Sequence, residues 1–160
     1  LAKLLSESKL DAVVSDLNVN NIEEAKTYLS RFGVSADSVE IWGTGTPRRE
    51  FLWSEDMADA CVFLMQNRNF SDTHNITEKE IRNTHINIGT GIDVSIKELA
   101  EIIKNATDFK GKLVFNSDKP DGTLRKLTDV SKLQTLGWKH KIDLEEGISK
   151  LYNWYLNPEK

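Results

Sequence analysis

The stretch His85-Ile86-Asn87-Ile88-Gly89-Thr90-Gly91, followed closely by Ser95-Ile96-Lys97-Glu98, decides the fold class. Its first five residues form a short apolar-polar alternation, which reads as a strand, and Gly89-Thr90-Gly91 closes it as a turn. Ser95 and Glu98 then stand at capping-box spacing, where hydroxyl and carboxylate each bond the other's backbone N–H. The helix they open points Ile96, Leu99, Ala100 and Ile103 inward. Strand, glycine turn and capped helix make one β–α step.

Outward from that step the same grammar recurs. On the N-terminal side, Ile22, Ala25, Leu29 and Phe32 share one helix face, which Asn20 or Asn21 caps and Gly33 ends. Val39-Glu40-Ile41-Trp42 alternates like a strand, Gly43-Thr44-Gly45-Thr46-Pro47 breaks it, and Arg49 to Trp53 reads extended. Ser54 opens a helix with Glu55 and Asp56 in its first turn, where negative charge is favourable, and with Met57, Cys61, Leu64 and Met65 on one stripe. Residues 68–80 are polar and read as a loop. On the C-terminal side, Leu113-Val114-Phe115 is a strand. Asp129 caps a short helix ending near Gly137, and Asp143 caps a last helix with Leu144, Ile148, Leu151 and Tyr155 on one face. Strands separated by helices predict an α/β fold.

The 160 residues suit one domain and are too few for a dinucleotide-binding domain plus a full substrate domain. With 21 Lys+Arg against 25 Asp+Glu, the formal charge of −4 argues against broad nucleic-acid binding, which needs a basic face. No apolar run reaches the ~20 residues of a membrane span. The single cysteine, Cys61, excludes an internal disulfide framework and a multi-cysteine zinc site, and a reducing compartment follows most simply. Cys61 lies on an apolar stripe and reads as a buried structural thiol. The chain opens without Met, and Leu1, Leu4 and Leu5 keep helical spacing, so the expectation is a piece of a longer protein.

For chemistry, neither glycine turn completes a Gly-x-Gly-x-x-Gly dinucleotide loop: Arg48 follows Gly43-Thr44-Gly45, and Val94 follows Gly89-Thr90-Gly91, where the third glycine belongs. His74, His85 and His140 are scattered with no metal-ligand spacing. Two segments offer binding groups. Trp42 to Phe51 supplies a flat aromatic face, flexible glycines and the guanidinium forks of Arg48 and Arg49. Lys119-Pro120-Asp121-Gly122-Thr123-Leu124-Arg125-Lys126 supplies a carboxylate suited to sugar hydroxyls and two cations suited to an anion. Taken alone each is a polar loop; together they suit a sugar joined to phosphate.

These segments, with Asp56-Met57-Ala58, His85 to Gly91 and Leu136-Gly137-Trp138, closely resemble the C-terminal half of the GDP-L-fucose synthase family of extended short-chain dehydrogenases/reductases. Order and spacing agree from about Val39 to Leu156. The resemblance implies an α/β substrate-binding part with helices and a few short strands and with the Rossmann domain absent. It would be a single domain over residues 1–160, with residues 8–37 as a helical insertion. For the whole protein it implies a cytoplasmic homodimer that uses NADP(H) and acts on a GDP-sugar, with no nucleic acid, membrane or metal. That enzyme epimerises GDP-4-keto-6-deoxy-D-mannose at C3 and C5 and reduces C4 to give GDP-L-fucose. Carried over by position, Trp42, Arg49 and Asp121 match substrate-binding residues and Lys126 a basic residue near the diphosphate; Arg48, often uncharged in the family, is a lesser candidate. The family's glycine loop, its Ser and Tyr-x-x-x-Lys, and its Cys/His acid–base pair have no counterpart here. No catalytic or cofactor-binding residue is therefore expected in this chain, and by itself it should be inactive and bind no NADPH. The alternatives are a stand-alone nucleotide-sugar binding module and another nucleotide-sugar epimerase.

Overall fold

The computed structural model describes residues 21–77 and 79–157 and is mixed α/β. The helical spacing of Leu1, Leu4 and Leu5, and residues 8–20 of the expected insertion, lie outside the described residues. The chain divides into two compact units: Leu1–Pro47 with Ser95–Leu124 and Tyr152–Lys160, and Arg48–Val94 with Arg125–Leu151.

In the first unit, helix α1 (Ile22–Ser30) starts at Asn21, whose side chain accepts the Glu24 N–H at 2.9 Å. Gly33 follows, and its carbonyl accepts the Glu40 N–H at 2.8 Å, turning the chain into strand β1 (Ser38–Trp42). β1 lies parallel to β4 (Lys112–Asn116), with Val39 opposite Leu113 and Ile41 opposite Phe115. Between them runs α3 (Ile96–Ala106), opened by the expected capping box: the Ser95 hydroxyl accepts the Glu98 N–H at 3.1 Å and the Glu98 carboxylate accepts the Ser95 N–H at 2.7 Å. The inward face of α3 differs from expectation in depth. No residue of this helix is fully buried, and Ile103 is 41% exposed. The cause is the width of its support: two strands ~4.8 Å apart are barely as broad as a ~10 Å helix. Val39, Ile41, Leu113, Ala100, Ile103 and Phe109 accordingly border an apolar cavity of about 280 Å³.

The second unit is built on a three-stranded sheet ordered β3-β2-β5. β2 (Arg48–Glu50) is central, β3 (Asp93–Ser95) lies on one side, and β5 (Arg125–Lys126) runs parallel on the other. Helices α2 (Ser54–Asn67) and α4 (Ser131–Thr135) and the first turns of α5 (Leu144–Leu156) complete it. Its core is Ala60, Leu133 and Trp138, with Leu52, Phe63, Leu64, Ile86 and Ile88 packed against them.

Met57, Cys61 and Met65 of the α2 stripe are exposed, Met65 by 83%, and the free thiol of Cys61 is not buried. The buried residues of α2 are Asp56 and Ala60. The helix is rolled because the Asp56 carboxylate accepts the N–H groups of Lys141 (3.0 Å) and Ile142 (2.9 Å), and the small Ala60 lies in the cluster with the Trp138 indole. Trp138 Nε1 donates to Asp59 at 2.8 Å on the same side. Ser54 opens α2 as expected, while at α4 the N-cap position falls one residue later than expected, on Val130 instead of Asp129, though Asp129 still accepts the Ser131 N–H at 3.0 Å. On α5, Leu144 and Ile148 are half-buried while Leu151 and Tyr155 are exposed.

The segment that decided the fold class is itself not a strand. Residues 85–89 keep the alternation, with Ile86 and Ile88 turned to the core and His85 and Asn87 outward, but they join no ladder among the described residues. Alternation is a property of extended backbone; a strand also needs a neighbour for its N–H and C=O groups. Here a side chain substitutes in part: Lys132 Nζ donates to the carbonyls of Asn83, His85 (3.0 Å) and Thr73 (3.1 Å).

Candidate functional site

The second unit sorts its cations by strand geometry. Arg48 stands opposite Arg125 and Arg49 opposite Lys126 in the parallel β2–β5 register. Successive side chains on a strand point to opposite faces, so each register pair shares a face and the two pairs are back to back. On one face Asp93 of β3 takes both arginines. Arg48 Nε donates to one carboxylate oxygen at 2.8 Å and Arg125 Nε to the other at 2.5 Å, while Arg48 Nη2 bonds the Asp93 carbonyl at 2.8 Å. The Asp93 side chain is only 5% exposed, and the hydrogen bonds from Arg125 and then Arg48 hold its carboxyl below the usual aspartate value. Arg48, the lesser candidate, is thus committed to the fold.

Among the described residues, no carboxylate pairs with the cations of the other face. Arg49 Nη1 donates to the Arg48 carbonyl at 2.7 Å, and that is its one side-chain hydrogen bond among the described residues. The ammonium of Lys126, on an exposed strand, has neither hydrogen bond nor ion pair among them. Like charges at opposed positions repel, so this pair is electrostatically ready for an external anion.

Glu50, next along β2, is a structural anchor that sequence reasoning missed. One carboxylate oxygen accepts the N–H groups of Thr90 and Gly91, both at 2.6 Å, and the other accepts the Thr128 N–H at 3.0 Å. Gly89 makes this approach feasible, since a Cβ there would lie 2.5 Å from Glu50 Oε1. Burial pushes the Glu50 carboxyl up, but the Thr128 hydroxyl and the Gly91, Thr128 and Thr90 N–H groups together outweigh it and hold it below its ordinary value. A lowered folded-state pKa contributes stability above the unfolded value and loses it as pH falls through the folded one. Thermal midpoints should therefore drop on acidification below the usual glutamate range. Glu50→Gln should melt lower at neutral pH and show a shallower acid limb, because an amide cannot satisfy all these donors. Calorimetric scans from neutral pH to about pH 3 check both, the remaining slope belonging to groups such as Asp93.

In the first unit, Trp42 ends β1 with its side chain largely in solvent, 70% exposed, and Lys119 Nζ lies over its ring at 5.2 Å from the centroid. Asp121 is turned to the adjoining loop: it accepts the Thr44 N–H at 2.9 Å and the Thr44 hydroxyl at 2.6 Å. Gly43 has φ +86°, and a Cβ there would lie 2.2 Å from Asp121 Oδ1, so only glycine fits. The four expected site residues thus fall two and two. Trp42 and the Asp121-tied loop belong to the first unit, and the neighbours Arg49 and Lys126 to the second.

Neither glycine turn fits the pyrophosphate of a dinucleotide cofactor. The Thr44 N–H of one is bonded to Asp121, and the Thr90 and Gly91 N–H groups of the other are bonded to Glu50. An N–H that already holds a carboxylate is not open to a second anion. Among the described residues no cluster of His, Cys, Asp and Glu suits a metal, and no helix is long and apolar enough to cross a membrane.

This α/β arrangement is that of the NAD dependent epimerase/dehydratase family, to which the chain belongs; the family model matches residues 4–89. Within it, the chain is 52% identical over 122 residues to "Putative GDP-L-fucose synthase 2" of Arabidopsis thaliana and 45% identical over 127 residues to the GDP-L-fucose synthase of Escherichia coli, each time over 76% of this chain. Among solved structures it resembles a GDP-6-OMe-4-keto-L-xylo-heptose reductase from Campylobacter jejuni, with 54% identity, a TM-score of 0.88, and coverage of 99% of this chain and 45% of that one. The chain spans about a third of the length of the curated relatives, 34% and 37% for the two synthases.

Proposed function

We propose that this chain is the GDP-sugar-binding part of an NADP(H)-dependent epimerase/reductase that acts on a 4-keto sugar. The observation that carries the reading is the Arg49–Lys126 pair, two cations side by side on one strand face with no anion of their own among the described residues. A diphosphate supplies the missing charge, and a guanidinium beside an ammonium meets it with charge-assisted hydrogen bonds. Trp42 offers an exposed ring face to a nucleotide sugar, and Asp121 shapes the loop beside it. Because both glycine turns are already engaged, NADP(H) belongs to residues outside this chain, and so do catalysis and the acid–base pair. A cytoplasmic homodimer is part of the same proposal.

The fucose-forming reaction is the fuller form of this reading. A second form, reduction of a GDP-4-keto-heptose, is supported by one observation: the structural match to the heptose reductase covers 99% of the chain, whereas those to two structures of a Naegleria fowleri GDP-L-fucose synthetase cover 76% and 84%. The full-length protein, mixed with NADPH and either GDP-4-keto-6-deoxy-D-mannose or a GDP-4-keto-heptose, distinguishes them by NADPH absorbance and product analysis. Consumption is expected with GDP-linked ketones and not with their UDP counterparts. Equal turnover of UDP-sugars would remove the GDP assignment.

A further inference from the structure

Four cations crowd two short strands, yet the diphosphate reading uses only two of them. Arg48 and Arg125 are as basic as Arg49 and one residue away from the proposed anion ligands. What separates them is Asp93. In the strand order β3-β2-β5 it forms a cross-sheet row with Arg48 and Arg125, and its two oxygens are divided between the two guanidinium groups. It is also the principal side-chain tie between β5, only two residues long, and the rest of the sheet at this level.

We propose that Asp93 is a positioning residue for the diphosphate: by holding Arg48 and Arg125 on the far face of the sheet it fixes the β2–β5 register and leaves Arg49 and Lys126 to meet the anion. Nothing in the geometry puts Asp93 in contact with substrate; it acts through the strands that carry the two cations. Losing its charge leaves two arginines sharing a neutral partner. Each then gains by swinging toward any nearby anion, and β5 loses its tether.

The inference rests on the diphosphate reading, so Arg49→Ala is measured alongside. Titration calorimetry of the full-length protein with GDP and with guanosine provides the test. Asp93→Asn should weaken GDP by about tenfold and leave guanosine unchanged, and Asp93→Glu, which keeps the charge, should recover part of the loss. If Asp93→Asn does not fold, Arg125→Gln decides the matter, since that side chain is 60% exposed. It should weaken GDP by about threefold, again without changing guanosine. A folded Asp93→Asn or Arg125→Gln protein with unaltered GDP affinity overturns the inference. So does an equal loss for guanosine, which marks general damage. If Arg49→Ala also leaves GDP affinity unchanged, the diphosphate reading itself has failed; if Arg49→Ala weakens GDP while the Asp93 and Arg125 variants do not, only the positioning role is lost.

Discussion

Replacing Arg49 and Lys126 together by Ala is expected to weaken GDP binding to the full-length protein by roughly a hundredfold or more. A hydrogen bond to a charged group contributes on the order of 1.5–3 kcal/mol, and the pair loses at least one from each cation. Exposure of Lys126 places its share at the lower end of that range. Arg49→Ala alone should lose about ten- to a hundredfold, and Arg49→Lys should recover only part, since an ammonium lacks the guanidinium fork. Thermal stability should change little: among the described residues the Lys126 ammonium makes no hydrogen bond or ion pair, and Arg49 forfeits one bond to a neighbouring carbonyl. The loss should vanish with guanosine, which has no phosphate to hold. If Arg49 were instead an ordinary surface cation paired with Glu50 or Asp56, affinity would be untouched. Those carboxylates are occupied elsewhere, Glu50 by Thr90, Gly91 and Thr128 and Asp56 by Lys141 and Ile142.

The largest expected effect on stability is at Trp138. Its indole is 4% exposed, packs with Ala60 and Leu133, and donates to Asp59. Trp138→Ala should cost about 3–5 kcal/mol, from lost burial and an uncollapsed cavity, a large part of the ~5–15 kcal/mol that a domain has. Met65→Ala, an equally apolar site by sequence pattern, should stay within about 0.5 kcal/mol because Met65 is 83% exposed. Chemical denaturation of the two variants side by side checks the roll of α2. Similar losses would mean that Met65 is covered in solution.

The contrast between these two residues shows where pattern reading reaches its limit. A moment over α2 finds the apolar side, but the orientation of this helix is set by Asp56, a carboxylate buried for the sake of two backbone N–H groups some 85 residues further on. No local periodicity contains that bond. By contrast, the capping box at Ser95 and Glu98 and the Asn21 cap are local in sequence and appear as expected. The β1 strand, too, is found where alternation puts it, though its parallel partner β4 is 70 or more residues away.

The candidate site divides in the same way. That Arg48 and Arg49 point to opposite faces follows from the period of a strand. Which face already holds an acid does not, because Asp93 is brought in from a separate strand. Asp121 was legible as a carboxylate in a turn, but its use on the Thr44 N–H depends on Gly43 adopting a positive φ far away in sequence. Residues 85–89 were legible as extended chain and not as unpaired, since pairing is a property of neighbours.

A crystal structure of the full-length protein with GDP bound tests most directly whether the β2–β5 cation pair holds the diphosphate of a GDP-sugar. Phosphate oxygens are expected within hydrogen-bonding distance of the Arg49 guanidinium and the Lys126 ammonium, with Arg48 and Arg125 still on Asp93. A diphosphate bound elsewhere, with Arg49 and Lys126 facing only water, would contradict it.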